Sequence, residues 1–193
     1  MSAGDHLARG QRHAVDAIAG AGIDSVRGFR APCFSLTKDT AWAYDVLKDL
    51  GFTYSSSVVP CKNPLFGWDG FSKSPVKLDN GLWEIPITTT DLPFINTPFS
   101  GGVYFRAFPG PVLAYFFKRV FAEGRPVVGY FHPYDIDPDQ DRDAFPEFSD
   151  SPLFKWLMFY NRTSVFAKLR TLSAQDIRMI RYDEFVNSLE SAL

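Results

Sequence analysis

A mixed α/β fold built on parallel strands is the class this sequence predicts, and three observations predict it. Short apolar runs that stop at Pro or Gly alternate with longer stretches of helical period. The segment from Ile23 to Phe29, the helical stretch ending near Leu50 and the run Phe52 to Val59 follow one another as strand, helix and strand, the βαβ unit of a parallel sheet or barrel. The 193 residues fit one domain, 1–193, long enough to bury a sizeable core.

Each element has a local reason. His6 to Ala21 reads as a helix: Leu7, Ala14, Val15, Ile18 and Ala19 mark an apolar face, and Gly20-Ala21-Gly22 ends it. His6 and His13 fall two turns apart, roughly 10 Å along the axis, so they are poor joint ligands for one metal. Pro32 removes a donor and pushes Ala31 out of the helical region, so the first strand ends there and leaves Arg30 at its carboxyl end. Ser35 or Thr37 caps the next helix, whose Trp42, Val46, Leu47 and Leu50 form a core stripe that Gly51 closes. Pro60 to Gly81 reads as a long surface excursion. Its Trp68 and Phe71 either plug the loop locally or cover a cleft.

Leu82 to Ile87 is a further strand, with Pro86 confining it to an edge or to its own last residues. Thr88 to Pro93 is a polar exit, and Gly101-Gly102 permits positive φ or close backbone approach. A helix from Gly110 or Pro111 to Glu123 carries Leu113, Phe116, Phe117 and Val120 on one side and stops at Gly124. Pro126 to Phe131 is a buried strand delivering His132 at its end. Asp135 to Asp150 lacks the glycine and terminal Glu of a calcium loop and reads as a solvated surface segment. Pro152 to Leu172 is one helix or a broken pair, Ile177 to Ile180 a last strand, and Tyr182 to Leu193 a last helix.

Composition narrows the function classes. A net charge of -2 argues against a nucleic-acid binder or a polybasic membrane anchor. Nineteen Phe, eight Tyr and four Trp are many for this length; most belong in a core, but aromatics facing a groove also suit the C–H faces of sugars. Two cysteines, Cys33 and Cys61, are too few for a disulfide framework and leave a single bridge open. The chain starts without a signal segment and holds no apolar run of membrane-spanning length, so a soluble, cytoplasmic chain is expected.

Two strand-end polar groups thus arise from independent segments. A guanidinium at Arg30 offers a fixed set of donors to a carboxylate, the competing reading being a structural pairing with a distant acid. An imidazole at His132 titrates near neutrality and suits proton transfer; its competing reading is a hydrogen-bonded histidine at a strand end.

The blocks carrying these residues point further. Gly28-Phe29-Arg30-Ala31-Pro32-x-Phe34-Ser35, followed by a helix with Trp42 and then Leu50-Gly51-Phe52-x-Tyr54-x-Ser56-Ser57, resembles the third conserved block of the polysaccharide deacetylases, the NodB-homology group. Gly129-Tyr130-Phe131-His132-Pro133-Tyr134-Asp135-Ile136-Asp137 resembles that family's last block, and Gly101-Gly102-Val103-Tyr104-Phe105-Arg106 fits its exopolysaccharide and exosortase-associated branch.

The resemblance implies an incomplete, distorted (β/α) barrel of NodB type lacking its first strands. It implies metal-dependent hydrolysis of N- or O-acetyl groups on a bacterial polysaccharide or oligosaccharide. Arg30 matches the arginine that holds the catalytic Asp, Cys33 the position whose backbone N–H points at the oxyanion, and His132 the general acid. Phe34, Trp68, Trp83 and Tyr134 are the expected substrate-binding aromatics. Where many relatives carry Asp, this chain has Ser55.

The family's Thr-Phe-Asp-Asp and His-x-x-x-His blocks, which supply the base and the ligands for zinc or another divalent metal, have no counterpart before Arg27. Only Asp5, His6, His13, Asp16 and Asp24 stand there. No metal or other cofactor is therefore expected on this chain itself, which reads as a truncated or weakly active deacetylase. A non-catalytic carbohydrate-binding remnant and one part of a split enzyme are the alternatives. A sheet missing its first strands also predicts self-association or a partner at the open edge.

Overall fold

The computed structural model describes residues 2–23, 25–63, 66–90, 96–141, 152–175 and 177–192. Asp24, the Asp91 to Pro93 part of the polar exit, and positions 142–150 of the acidic stretch lie outside the described residues. The structure is mixed α/β, and its contacts group it into two compact units, Met1–Ile87 with Ile180–Leu193, and Thr88–Met179.

In the first unit, helix α1 (Ala3–Gly20) begins with a reciprocal cap, Ser2 N–H donating to Asp5 Oδ2 at 2.7 Å and Asp5 N–H to Ser2 Oγ at 3.2 Å. It packs on α2 (Ala43–Asp49), with Leu7 and Val15 against the unit's core and His6 and His13 exposed. Strands β1 (Gly28–Phe29) and β2 (Tyr54–Ser55) flank α2 and pair in parallel, Gly28 opposite Tyr54, so the predicted βαβ unit is present. The predicted core stripe is shifted. A separate 3-10 turn, Lys38–Thr40, precedes α2, so the buried face is Ala43, Tyr44 and Leu47, and Trp42 is 40% exposed.

The sheet order is β1-β2-β4-β3, with β3 (Val76–Lys77) antiparallel and β4 (Trp83–Glu84) parallel to its other neighbour β2. Of the two readings of Leu82 to Ile87, the edge strand is excluded and the one that puts Pro86 at the end of the run agrees with the structure. The regular pairing of β4 stops two residues before Pro86, so the proline removes no ladder donor and the strand sits inside the sheet. Strand β3, inside the segment read as a loop, joins β4 through a turn in which Gly81 has φ +81°.

The second unit is helical. Gly101 lies so close to Tyr130 that an added Cβ would meet its carbonyl oxygen at 2.2 Å, and Gly102 N–H donates to that oxygen at 3.0 Å. Helices α3 (Gly102–Ala107) and α4 (Gly110–Ala122) follow, α4 ending before Gly124 as its pattern predicts. Pro126 to Phe131 is not the expected strand. It carries one isolated bridge, Gly101 to Tyr130, and is tied by side chains: Val128 N–H donates to Thr88 Oγ1 at 2.8 Å and Ser100 Oγ–H to Val128 O at 2.6 Å.

Helix α5 (Pro133–Ile136) is a single turn, and α6 (Pro152–Phe159) and α7 (Ser164–Ser173) are the broken pair, interrupted where Asn161 takes φ +54°. Ile177 to Ile180 forms no strand; α8 (Tyr182–Ser191) follows and belongs to the first unit. Much of the aromatic excess is core: Phe99, Phe105, Phe116 and Phe117 pack with Leu113, Val120, Val165 and Leu172. Among the described residues no helix is long and apolar enough to cross a membrane. Both cysteines are free thiols, Cys33 exposed and Cys61 buried, so the bridge left open by the sequence is not formed.

The close approach at Gly101 is testable. Gly101→Ala, which must displace a backbone carbonyl, should lower stability by about 1–3 kcal/mol, whereas Gly124→Ala, at φ +69° in open space, should cost about 1 kcal/mol. Urea unfolding of the two variants checks this, and equal costs would rule out the steric account.

Candidate functional site

The corner after β1 is built from strained backbone. Cys33 and Phe34 both take positive φ, +55° and +53°, in a 3-10 turn that opens at Pro32. Such conformations cost about 1–3 kcal/mol each in non-glycine residues and persist where surrounding contacts impose them. Phe34 N–H closes the turn on Ala31 O at 3.0 Å and Ser35 N–H on Pro32 O at 3.2 Å.

Arg30 is half-buried and held from several sides. Its Nε–H donates to Ser56 O at 3.1 Å, and one amino group donates to Ser56 Oγ at 3.1 Å and to the Tyr182 hydroxyl. The guanidinium lies against two rings, 5.2 Å from the Phe34 centroid and 5.1 Å from that of Tyr182, both within cation–π range. Phe34, expected to meet substrate, therefore packs on Arg30. Tyr182 also stacks on Tyr54 at 6.2 Å. No local signal marks Tyr182, which arrives from the far end of the chain.

Behind this corner sits an acid whose role sequence reasoning missed. Glu84 on β4 is fully buried, and its Oε1 accepts from the amides of Ser57 at 2.7 Å and Val58 at 3.1 Å. Ser57 Oγ in turn accepts from Ala31 N–H at 2.9 Å and from Ser55 Oγ–H at 2.8 Å. Glu84 thus fixes the exit of β2, and that exit holds Arg30. Its second oxygen and the Tyr44 hydroxyl are both buried without hydrogen-bond geometry, although Tyr44 is near enough to Glu84 for each to shift the other's titration. Burial raises the Glu84 pKa, opposed by Ser55 and the two amides, and burial beside Glu84 raises that of Tyr44. The signal was there: one acid inside an apolar run.

In the second unit His132 caps α5, its side chain about half exposed at 51%. Asp135, one turn on, is 1% exposed and corrects the reading of this stretch as solvated throughout. Its Oδ2 accepts from His132 N–H at 2.9 Å and lies 3.2 Å from His132 Nδ1; its Oδ1 lies 3.1 Å from an amino group of Arg106, also 1% exposed. A carboxylate accepts, so this contact is a hydrogen bond in the Nδ1–H form of the ring; in the other tautomer Nδ1 accepts from the Asp135 N–H, the reciprocal half of the cap. Burial lowers the Arg106 pKa, and Asp135 opposes that shift. Tyr134 stacks on the imidazole, 4.6 Å between centroids and 7° between planes.

The remaining aromatics are less open. Trp83 is 7% exposed, with its indole N–H donating to Glu190 at 2.6 Å and Lys77 over its ring at 5.7 Å, so it is a wall residue and not a stacking platform. Trp68 packs on Phe71 at 4.7 Å and against the first unit's core, the local plug. Arg30, Cys33, Phe34, Trp68 and Trp83 belong to the first unit, His132 and Tyr134 to the second. Among the described residues no three His, Cys, Asp or Glu side chains converge as a zinc site requires.

The sequence pattern of a domain of unknown function, DUF3473, matches residues 56–187. No curated protein and no solved structure matches the chain. The matched span holds Glu84, Arg106, His132, Asp135 and Tyr182; the Arg30 corner precedes it.

Glu84 yields a pH test. Its folded-state pKa is raised, so the cost of burying the charge is absent below the unfolded pKa and grows as pH rises through the folded one. Glu84→Gln keeps an acceptor and removes the charge; thermal unfolding should find it as stable as wild type near pH 4 and progressively favoured toward pH 8. Glu84→Ala, which strands two buried amides, should lose about 1–3 kcal/mol at either pH. A gap for Glu84→Gln that widens as pH falls would refute the assignment.

Proposed function

This chain belongs to the DUF3473 family, and from that premise we propose that it is a polysaccharide deacetylase-like protein of the NodB-homology type, from the exopolysaccharide and exosortase-associated branch. In its complete form such a protein folds as a distorted (β/α) barrel and hydrolyses N- or O-acetyl groups of a bacterial polysaccharide. The present chain carries the later blocks of that pattern and is weakly active by itself.

One observation carries the reading: a half-exposed imidazole whose Nδ1 rests on a carboxylate buried to 1%. That arrangement fits a general acid. The proton on Nδ1 is held by Asp135; with a second proton on Nε2 the ring is an imidazolium, and Nε2 passes that proton to a departing amine or alkoxide, leaving the neutral Nδ1–H ring. Tyr134, parallel to the imidazole, limits its rotation and offers an aromatic surface beside it. Arg30 supplies a rigid set of donors of the kind that orients a carboxylate, and the strained turn beside it presents the Cys33 amide to an oxyanion. A divalent metal, where the complete protein supplies ligands, would activate the attacking water.

Acetylated oligosaccharides, N- and O-substituted, provide the test. Titrations followed at the amide signals of His132 and Tyr134 should saturate. Acetate released in the presence of zinc or cobalt, measured by NMR, should fall about 10²-fold or more in His132→Ala. A flat titration, or release that survives His132→Ala unchanged, would sink the reading.

A further inference from the structure

We infer that Arg106 is the positioning residue that fixes the tautomer and direction of the His132 ring, acting through Asp135. The inference rests on the reading of His132 as a proton donor for its purpose, but its geometry and its test do not require turnover.

The guanidinium of Arg106 is divided between two tasks. One amino group donates to three carbonyls beyond and within the last turn of α6, Leu157 at 3.0 Å, Met158 at 3.1 Å and Tyr160 at 2.7 Å. The other faces Asp135 Oδ1 at 3.1 Å. Because the group is planar and rigid, anchoring one arm on α6 fixes where the other arm points. The backbone of Arg106 is anchored as well: its carbonyl accepts from Asn161 Nδ2 at 2.8 Å and from Lys168 Nζ at 2.9 Å. The carboxylate between Arg106 and His132 is then hydrogen-bonded at Oδ2, on the imidazole side, while Oδ1 faces the guanidinium charge in an ion pair that lacks hydrogen-bond geometry.

Without a counter-charge a carboxylate at 1% exposure has little reason to stay ionised or to keep this orientation. Arg162, also buried, supplies charge in the same neighbourhood, since Asp135 raises its pKa and Arg106 lowers it. Its own hydrogen bonds, however, go to Met158 O, Asp137 O and Gln140. The contact with Asp135 therefore falls to Arg106. A lysine in that place could hold the α6 carbonyls or the carboxylate, but lacks the two-armed plane needed for both.

The chain has three histidines, and His6 and His13 are exposed on α1, so ¹⁵N-labelled histidine gives one informative ring and two internal references. Wild type at a pH where His132 is neutral should show the Nδ1–H form. Arg106→Gln should move His132 toward the Nε2–H form that free imidazole prefers, with the signals of His6 and His13 unchanged. Arg106→Lys, the gentler variant, should fold and give a mixture of the two forms. Asp135→Asn should abolish the Nδ1–H preference. A wild-type ring already in the Nε2–H form would overturn the inference. So would a folded Arg106→Gln that leaves the ring as in wild type. Should Arg106→Gln fail to fold, Arg106→Lys decides: a ring still wholly Nδ1–H excludes a role for the guanidinium's shape. Failure of the deacetylation assay with the tautomer shifts intact would reject the function and leave the positioning role standing.

Discussion

A carboxylate removed from water must find donors or an opposite charge, and both units of this chain are arranged around meeting that demand. Glu84 meets it with backbone: two consecutive amides at the exit of β2 close on one oxygen. Asp135 meets it with a buried guanidinium on one side and an imidazole on the other. The two solutions have different consequences. Amides cannot leave, so Glu84 is a fixed strut whose remaining electrostatic cost appears as a raised pKa. Arg106 and His132 are side chains, so Asp135 links the interior of its unit to a ring that reaches solvent.

The strut matters because the regular strands are so short. Two residues each in β1, β2, β3 and β4 cannot define a corner by ladder hydrogen bonds alone. Beyond them the chain is held by isolated bonds, Ser56 N–H to Phe29 O and Ile87 N–H to Val58 O, and by the Glu84, Ser57 and Ala31 relay. Side-chain polar contacts thus carry what a longer sheet would assign to backbone pairing. Their burial makes them strong, because an unpaired partner there has no water to turn to. The two positive-φ residues that follow Arg30 persist in this setting.

Legibility in the sequence followed the range of the interaction. Helix ends governed by the next few residues, α1 at Ala21-Gly22, α2 at Gly51 and α4 before Gly124, were all readable, as was the parallel pairing of β1 and β2 across α2. The Arg30 corner and His132 stood out because proline confines the chain beside each. Long-range pairing was not readable. Tyr182 reaches Arg30 over 152 residues, and nothing in its neighbours announces it. Trp42 was misplaced because a 3-10 turn reset the phase of the helix. Pro126 to Phe131 has a strand's composition without a strand's neighbours, so its Val128 amide goes to Thr88 instead. Asp135 was hidden in an acidic run: charge on a solvated stretch and charge inside an ion pair look alike until a partner is known.

That last ambiguity has a physical resolution that bears on any histidine preceding such a run. An acid three residues after a cap can fold back onto the cap's own N–H, and here Asp135 does so at 2.9 Å. Pro133, at the first helical position, fixes φ there and withdraws no needed donor, so the turn closes with His132 outside it and Asp135 beneath it. Burying Asp135 then calls for donors or a counter-charge from elsewhere, and a guanidinium entering from the interior side supplies the charge without exposing it. Arg106 does this from α3, where its backbone is tied down by Asn161 and Lys168. The exposure of the imidazole and the burial of its acid are therefore one feature: the same turn that lifts the ring toward solvent pushes the carboxylate onto a charge that solvent does not reach.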